Sequence, residues 1–301
     1  MPLILALLLA FICAASAQVP MTGGGVGAPG ASCSPSSLSL DFTTGSFPPT
    51  GASTTNSTGG TGHNDVGTYF ASGSPNVLTL NSGGGLRPDY MASGSTRTLL
   101  YEPAASNLAL QSNNFSTTWS KDGTVTIAGG AATSPDGTAD GTTLTTVAAG
   151  AGVQQSITLT AVNYTFGLYF QKHTTAQNMR LSIGSHNGSL TATPTAWSRL
   201  VYTAVGNAGG TFEEIWINDF PAVVNIFGAQ VEIGSVASSY IPTTTSAITR
   251  AADNLSGPAI PSCAGHFTIT FDDNSMQSVT ASWPLTTTLT RPNIKTIVGA
   301  S

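Results

Sequence analysis

The sequence predicts an all-β protein whose middle is a jelly-roll-like antiparallel β-sandwich, preceded by a β-rich N-terminal leader and followed by a short C-terminal β element. Three observations carry that expectation. Between Leu99 and Asp253 apolar residues recur at period two in short runs, the spacing that gives a strand one face for a core. None of these runs is periodic at 3.6 residues, as an amphipathic helix would be. Glycine, proline and other turn residues separate them, and about eight such strands fit a sandwich that hides most of its edges by doubling the sheet.

Composition agrees. Charged residues make up 8% of the 301, against about 25% in typical soluble domains, yet a hydrophobic content of 40% is enough for a core and argues against wholesale disorder. The net charge is -5, and the nine Lys and Arg are spread along the chain. Nucleic acid is excluded as a partner, because binding it needs cations clustered to neutralise phosphates.

Taken in order, residues 1–17 form an apolar run that ends in Ala15-Ser16-Ala17, the small-x-small pattern of a signal-peptidase site. The run is short and poorly flanked for a membrane span, so a secretory signal is expected, with a retained hydrophobic anchor helix as the alternative. Residues 18–36 are rich in Gly, Pro and Ser and read as a flexible tether. In the leader, 37–98, SLSLDF alternates Leu with Ser, and Tyr69-Phe70 and Val77 to Leu80 suggest short strands between turn residues.

The sandwich, 99–253, is expected to hold strands at Thr124 to Ala128, Thr142 to Val147, Val153 to Leu159, Tyr164 to Gln171, Met179 to Ile183, Ser198 to Ala204, Thr211 to Ile217 and Val223 to Ile233. In the fourth of these, Tyr164, Phe166, Leu168 and Phe170 share one face, which should be core. In the last, Phe227, Ala229, Val231 and Ile233 alternate with Gly228, Gln230 and Glu232, the pattern of a core strand. A small-residue crossover follows, Ser235 to Ser239. Tyr240-Ile241-Pro242 then restarts an extended run, since the residue before proline avoids the helical region. In the C-terminal element, 254–301, Phe267, Ile269 and Phe271 alternate before a hairpin-like turn at Asp272 to Ser275, and Gln277 to Ala281 reads as the return strand. So small an element holds little core alone and should pack on the module or on a partner chain.

Catalysis has no motif to rest on. There is no G-x-S-x-G elbow, P-loop or H-E-x-x-H. Glu213 and Glu214 are adjacent, so on a strand they point to opposite faces and cannot flank one glycosidic bond. His63, His173, His186 and His266 sit in polar or turn-rich contexts. Carbohydrate binding is the reading with physical content, because sugar rings pack their C–H faces on aromatic planes while polar side chains bond the hydroxyls. Candidate stackers are Trp119, Tyr169, Trp197 and Trp216, with Gln171, Asn178, Arg180 and His186 as hydrogen-bonding partners. For each aromatic the alternative is a place in the core. Asp136, Asp140, Asp272 and Asp273 are scattered and no C-x-x-C occurs, so no metal and no cofactor is expected. Cys33 and Cys263 could form a disulfide joining the flanks of the module or remain two free thiols. A partly buried Glu232 would want a cation such as Arg250; otherwise both side chains are exposed.

Four segments, LLYEPAASNLALQSNNFSTTWSK from Leu99, SITLTAVNYTFGLYFQK from Ser156, WSRLVYTA from Trp197 and IFGAQVEIGSVASSYIPTTTSAITRAAD from Ile226, resemble in the same order a β-sandwich module of bacteriophage and prophage structural proteins of the head-spike or tail-fibre type. DFTTGSFP and TRPNIK resemble the start and end of such proteins. The resemblance implies a non-enzymatic virion surface protein that binds host surface polysaccharide, sits among other virion proteins and assembles as a homo-oligomer, a trimer being the expectation. A capsid or tail decoration protein without a ligand is the alternative, and a secreted polysaccharide-processing enzyme the third.

Overall fold

A computed structural model describes residues 39–41, 43, 53–54, 69–72, 74–80, 87–90, 97–148, 150–209, 213–253, 255–256, 265–281 and 289–300, all within the unit Cys33–Ser301. The signal-like segment, the tether, Cys33 and Cys263 lie outside the described residues. Among these residues every regular element is a strand.

Nine strands build the sandwich: β1 (Ser120–Asp122), β2 (Val125–Ala132), β3 (Gly141–Thr146), β4 (Ala151–Gln155), β5 (Asn163–Lys172), β6 (Asn178–Ile183), β7 (Ser198–Val205), β8 (Glu213–Ile217) and β9 (Ala222–Ile233). The front sheet has the order β7-β5-β9-β3-β2 and the back sheet β6-β8-β4-β1, with short strands His186–Asn187 and Thr191–Ala192 added beside β6. Every pairing is antiparallel. From β3 onward the strands distribute between the sheets as β3-β9-β5-β7 and β4-β8-β6 with His186–Asn187, the strand order of a jelly roll.

The alternation read from the sequence places the core. Tyr164, Phe166, Leu168 and Phe170 of β5 point inward together with Leu144, Val224 and Ile226, and meet Val153, Met179, Leu181, Ile215 and Ile217 of the back sheet. The period does not hold through β9. Gly228 has φ 66, and the pairing with β5 slips between Gly167 and Tyr169, the signature of a bulge built on a residue free to adopt positive φ. Consequently Ile226 and Ala229 both face the core, while Phe227 turns to the outer side with Tyr169 and Tyr240. Ile233, expected in the core, is 64% exposed.

Around Phe227 and Tyr169 that outer side of the front sheet is covered by the chain itself. Tyr240 sits edge-on to Phe227 with ring centroids 5.4 Å apart. The crossover is pinned down by buried polar groups: Glu232 accepts hydrogen bonds from the Ser238 amide (2.8 Å), the Ser238 hydroxyl (2.7 Å) and Gln230 Nε2 (2.9 Å), and Gln230 Oε1 accepts from the Ile241 amide (2.7 Å). Glu232 is therefore satisfied by neutral donors. Arg250, the cation proposed for it, instead faces Glu102 and Asp253. The ends of the module are held together where Ala105–Asn107 pairs with Ile248–Arg250. Beside this clasp Asn107 Nδ2 donates to the carbonyls of Ala229 (3.0 Å) and Ile241 (2.8 Å).

Leader and tail complete one another. A six-stranded sheet runs Met276–Ala281, Gly265–Phe271, Asn293–Ala300, Arg97–Leu100 and Arg87–Tyr90, with Ser39–Asp41 also on Asn293–Ala300. The tail hairpin turns through Asn274 at φ 67. Phe267, Ile269, Phe271, Ile294 and Ile297 are buried, so the short tail gains its core by adding to a sheet already begun upstream.

Candidate functional site

The outward face of the back sheet carries a half-buried tryptophan among polar side chains. Its centre is β8, whose sequence EEIWI alternates. Glu213, Ile215 and Ile217 are buried, while Glu214 and Trp216 point outward and are half-buried. Register then fixes the neighbours. Trp216 lies between Gly152 of β4 and Arg180 of β6, Glu214 lies between Gln154 and Ser182, and Asp122 of β1 flanks Gly152.

Glycine makes room for the indole. A Cβ on Gly150 would stand 2.6 Å from Trp216 Cζ2, and one on Gly152 would stand 2.0 Å from the Ile215 carbonyl oxygen. Both distances are far below contact, so the backbone of β4 approaches β8 as only glycine allows. Gly152→Ala is expected to destabilise the protein by about 1–3 kcal/mol, the cost of forcing extra volume into a packed site, and urea melts of the two proteins measure it. An unchanged midpoint would mean that the two strands separate freely.

Over the indole lies the Arg180 guanidinium, its Cζ 5.2 Å from the ring centroid, within range of a cation–π contact. Beside it the polar row continues, with Ser182 Oγ donating to Asn187 Oδ1 at 2.8 Å. Burial, and then the Asp122 carboxyl hydrogen-bonded to it, push the Glu214 carboxyl up to about 7; Arg180 and Ser182 act in the opposite sense. Glu214 and Asp122 thus set carboxyl oxygens side by side on this face. Nothing in the sequence marks Asp122 or Gln154, which reach the face through β1 and β4. Glu214 is legible from its two-residue spacing to Trp216.

Of the candidate sugar contacts, Trp216 and Arg180 are brought together and the rest are dispersed. Trp119 is 4% exposed, packs on Phe115 at 5.0 Å and donates to the Leu110 carbonyl at 3.1 Å; it is a core residue. Tyr169 is 6% exposed and lies on the front side against Phe227 and Tyr240. Trp197 is half-buried against that same group, with Nε1 donating to the Thr133 carbonyl at 2.9 Å. Gln171 donates to the Thr195 carbonyl at 2.9 Å. Asn178, at the start of β6, donates to Asp219 through its amide (2.6 Å) and Nδ2 (2.9 Å). His186 Nε2 and Asn207 Oδ1 are 3.0 Å apart on an exposed hairpin. Asp136 and Asp140 close their own loop by accepting from Ser134, Thr138 and Asn113.

No protein-family model and no curated protein sequence matches the chain. Among solved structures it is similar to the CBM22-1 xylan-binding domain of Paenibacillus barcinonensis Xyn10C, at 13% identity over 44% of this chain and 94% of that one, with a TM-score of 0.36. It is also similar to the CBM22-1-GH10 modules of Clostridium thermocellum xylanase 10B (11% identity, 45% of this chain, 29% of that one, TM-score 0.33). A third likeness is to the enzymatically active domain of bacteriophage CBA120 tailspike protein 4 (15% identity, 41% of this chain, 20% of that one, TM-score 0.30). Likenesses this distant carry no argument about what the chain does.

Proposed function

We propose that this chain is a non-enzymatic surface protein whose jelly roll binds polysaccharide through the outward face of its back sheet. One observation carries the reading: a half-buried indole on the outward face of β8, close to Gly150 and Arg180, with hydrogen-bonding side chains of β4 and β6 on both sides. A sugar ring can pack its C–H groups on the part of the indole left exposed and find donors and acceptors at its rim. Recognition rather than bond cleavage is the reading because the chain carries no G-x-S-x-G elbow, P-loop or H-E-x-x-H. The segments that resemble phage head-spike and tail-fibre modules support a place on a virion surface, facing host polysaccharide and contacting other virion proteins. There a trimer would turn weak sugar contacts into avidity.

Calorimetric titration with soluble bacterial envelope polysaccharides tests the site. Trp216→Ala is expected to weaken binding by about 30-fold, the effect of losing a buried tryptophan anchor worth roughly 2 kcal/mol. Trp197→Ala, on the front side, should bind as the parent does. Equal affinity of the Trp216→Ala protein would remove the site.

A further inference from the structure

We infer that a cavity between the sandwich and the tail sheet is a second binding site, one that takes a small organic cation with an apolar body. It is separate from the sugar face and does not rest on it. The cavity holds about 400 Å³ and is walled by residues 101–105, 232–238, 252–253 and 289–292. It therefore lies where the end of β9, the crossover and the two ends of the module meet the tail. That volume is within the range of pockets that enclose small molecules.

The apolar part of the wall is left in water. Ile233, at the end of β9, and Val236, in the crossover, both line the cavity and are 64% and 63% exposed. Pro103, Leu289 and Pro292 line it too. Two exposed aliphatic side chains beside three further apolar residues make a concave patch that gains from being covered. The crossover that carries Val236 is fixed at its far end, because Glu232 accepts from the Ser238 amide and hydroxyl and Glu102 from those of Ser239. A wall held in place before the ligand arrives spares the cost of ordering it on binding.

Charge decides the head group of that ligand. Around the cavity carboxylates outnumber cations in every cluster. Glu102 and Asp253 share one guanidinium, that of Arg250. Glu232 is held by neutral donors. Arg291, the one cation among the lining residues, is matched by two acids, Asp272 at 3.0 Å and Asp273 at 3.2 Å. A cation entering the cavity gains from this excess, and an anion loses by it. The Tyr101 hydroxyl, in the same wall, already feels the field: burial and then the Asp253 carboxylate push its ionisation up, since a further negative charge there is disfavoured.

Three probes with the same ring and different head groups test the site: cyclohexylmethylammonium, cyclohexylmethanol and cyclohexanecarboxylate. Each is titrated into the full chain at neutral pH and low ionic strength, and the backbone amide resonances are followed by NMR. The ammonium is expected to bind about tenfold more tightly than the alcohol, and the alcohol more tightly than the carboxylate. The amides of Gly234, Ser235 and Val236 should report the binding, and added salt should narrow the gap between the two charged probes. In the Ile233→Ser/Val236→Ser protein, changed only at exposed positions, the ammonium should bind about tenfold more weakly. A carboxylate bound as tightly as the ammonium, or no shift at those amides with any probe, would overturn the inference. Shifts there on concentrating the protein alone, with no response to the probes, would give the cavity to a second copy of the chain and overturn it as well. Where the double variant does not fold, the ranking of the three probes on the parent protein decides. Each of these results leaves the sugar reading as it stands, because that reading concerns the back sheet.

Discussion

Arg250→Ala lowers the unfolding free energy by about 3–5 kcal/mol, the loss expected when one member of a buried ionic group is removed. The side chain is 1% exposed and occupies the clasp that joins the two ends of the jelly roll. Its Nη2 lies 3.6 Å from Glu102 Oε2 and its Nη1 3.8 Å from Asp253 Oδ1. The same nitrogens donate to the carbonyls of Pro103 (2.6 Å) and Ala251 (3.3 Å). Glu102 and Asp253 are themselves 3% and 6% exposed, and Glu102 also accepts from the Ser239 amide and hydroxyl at 2.6 and 2.7 Å. Alanine would leave two buried carboxylates without a cation and two carbonyls without their donor. Neutralising the acids in the same chain, as Arg250→Met/Glu102→Gln/Asp253→Asn, should recover part of the loss, because the penalty is mostly that of unmatched charge. Urea denaturation followed by tryptophan fluorescence reads both proteins. An Arg250→Ala midpoint equal to that of the parent would mean that the clasp opens without cost.

How much of this was legible in the sequence depends on the range over which each feature acts. The period of β5, from Tyr164 to Phe170, is set by its own backbone, and its core face follows from local alternation alone. The outward placement of Trp216 follows from the same rule applied to β8. Phe227 escaped that rule because a glycine bulge at Gly228 resets the period, and a glycine inside an alternating run reads equally well as an ordinary strand residue. Tyr169, a candidate sugar stacker with a place in the core as the alternative, is covered, because the group that covers it, Tyr240, arrives from a crossover seventy-odd residues later. No local pattern announces such a contact. The Arg250 cluster is hidden for the same reason: Glu102 and Arg250 meet only because the module's first and last strands pair. Composition and periodicity specify which face of a strand is apolar, whereas what lies across from that face is decided by topology.

Glu213→Gln should change the dependence of stability on pH more than any other single substitution in the sandwich. Glu213 occupies an inward position of β8 in line with Ile215 and Ile217, is fully buried, and has no hydrogen-bond partner for either carboxyl oxygen. Burial pushes its carboxyl up to about 8, and the Gly184 amide, near it but not in bonding geometry, offsets this only in part. The unfolded chain releases this proton near pH 4.5, so between about 4.5 and 8 the native state binds more protons than the unfolded state, and stability falls as pH rises through that window. Each unit of the shift corresponds to about 1.4 kcal/mol. The amide cannot ionise, so the variant should lose this slope and exceed the parent by about 5 kcal/mol at pH 9, with little difference at pH 4, where both side chains are neutral. Glu214 adds a slope of the same sign over the shorter window up to about 7, but it is present in both proteins and cancels in the comparison. Urea midpoints at half-unit intervals from pH 4 to pH 9 give the difference curve directly. A difference that stays constant across that range would show that Glu213 ionises at the ordinary carboxylate pH, and that water reaches it inside the sandwich.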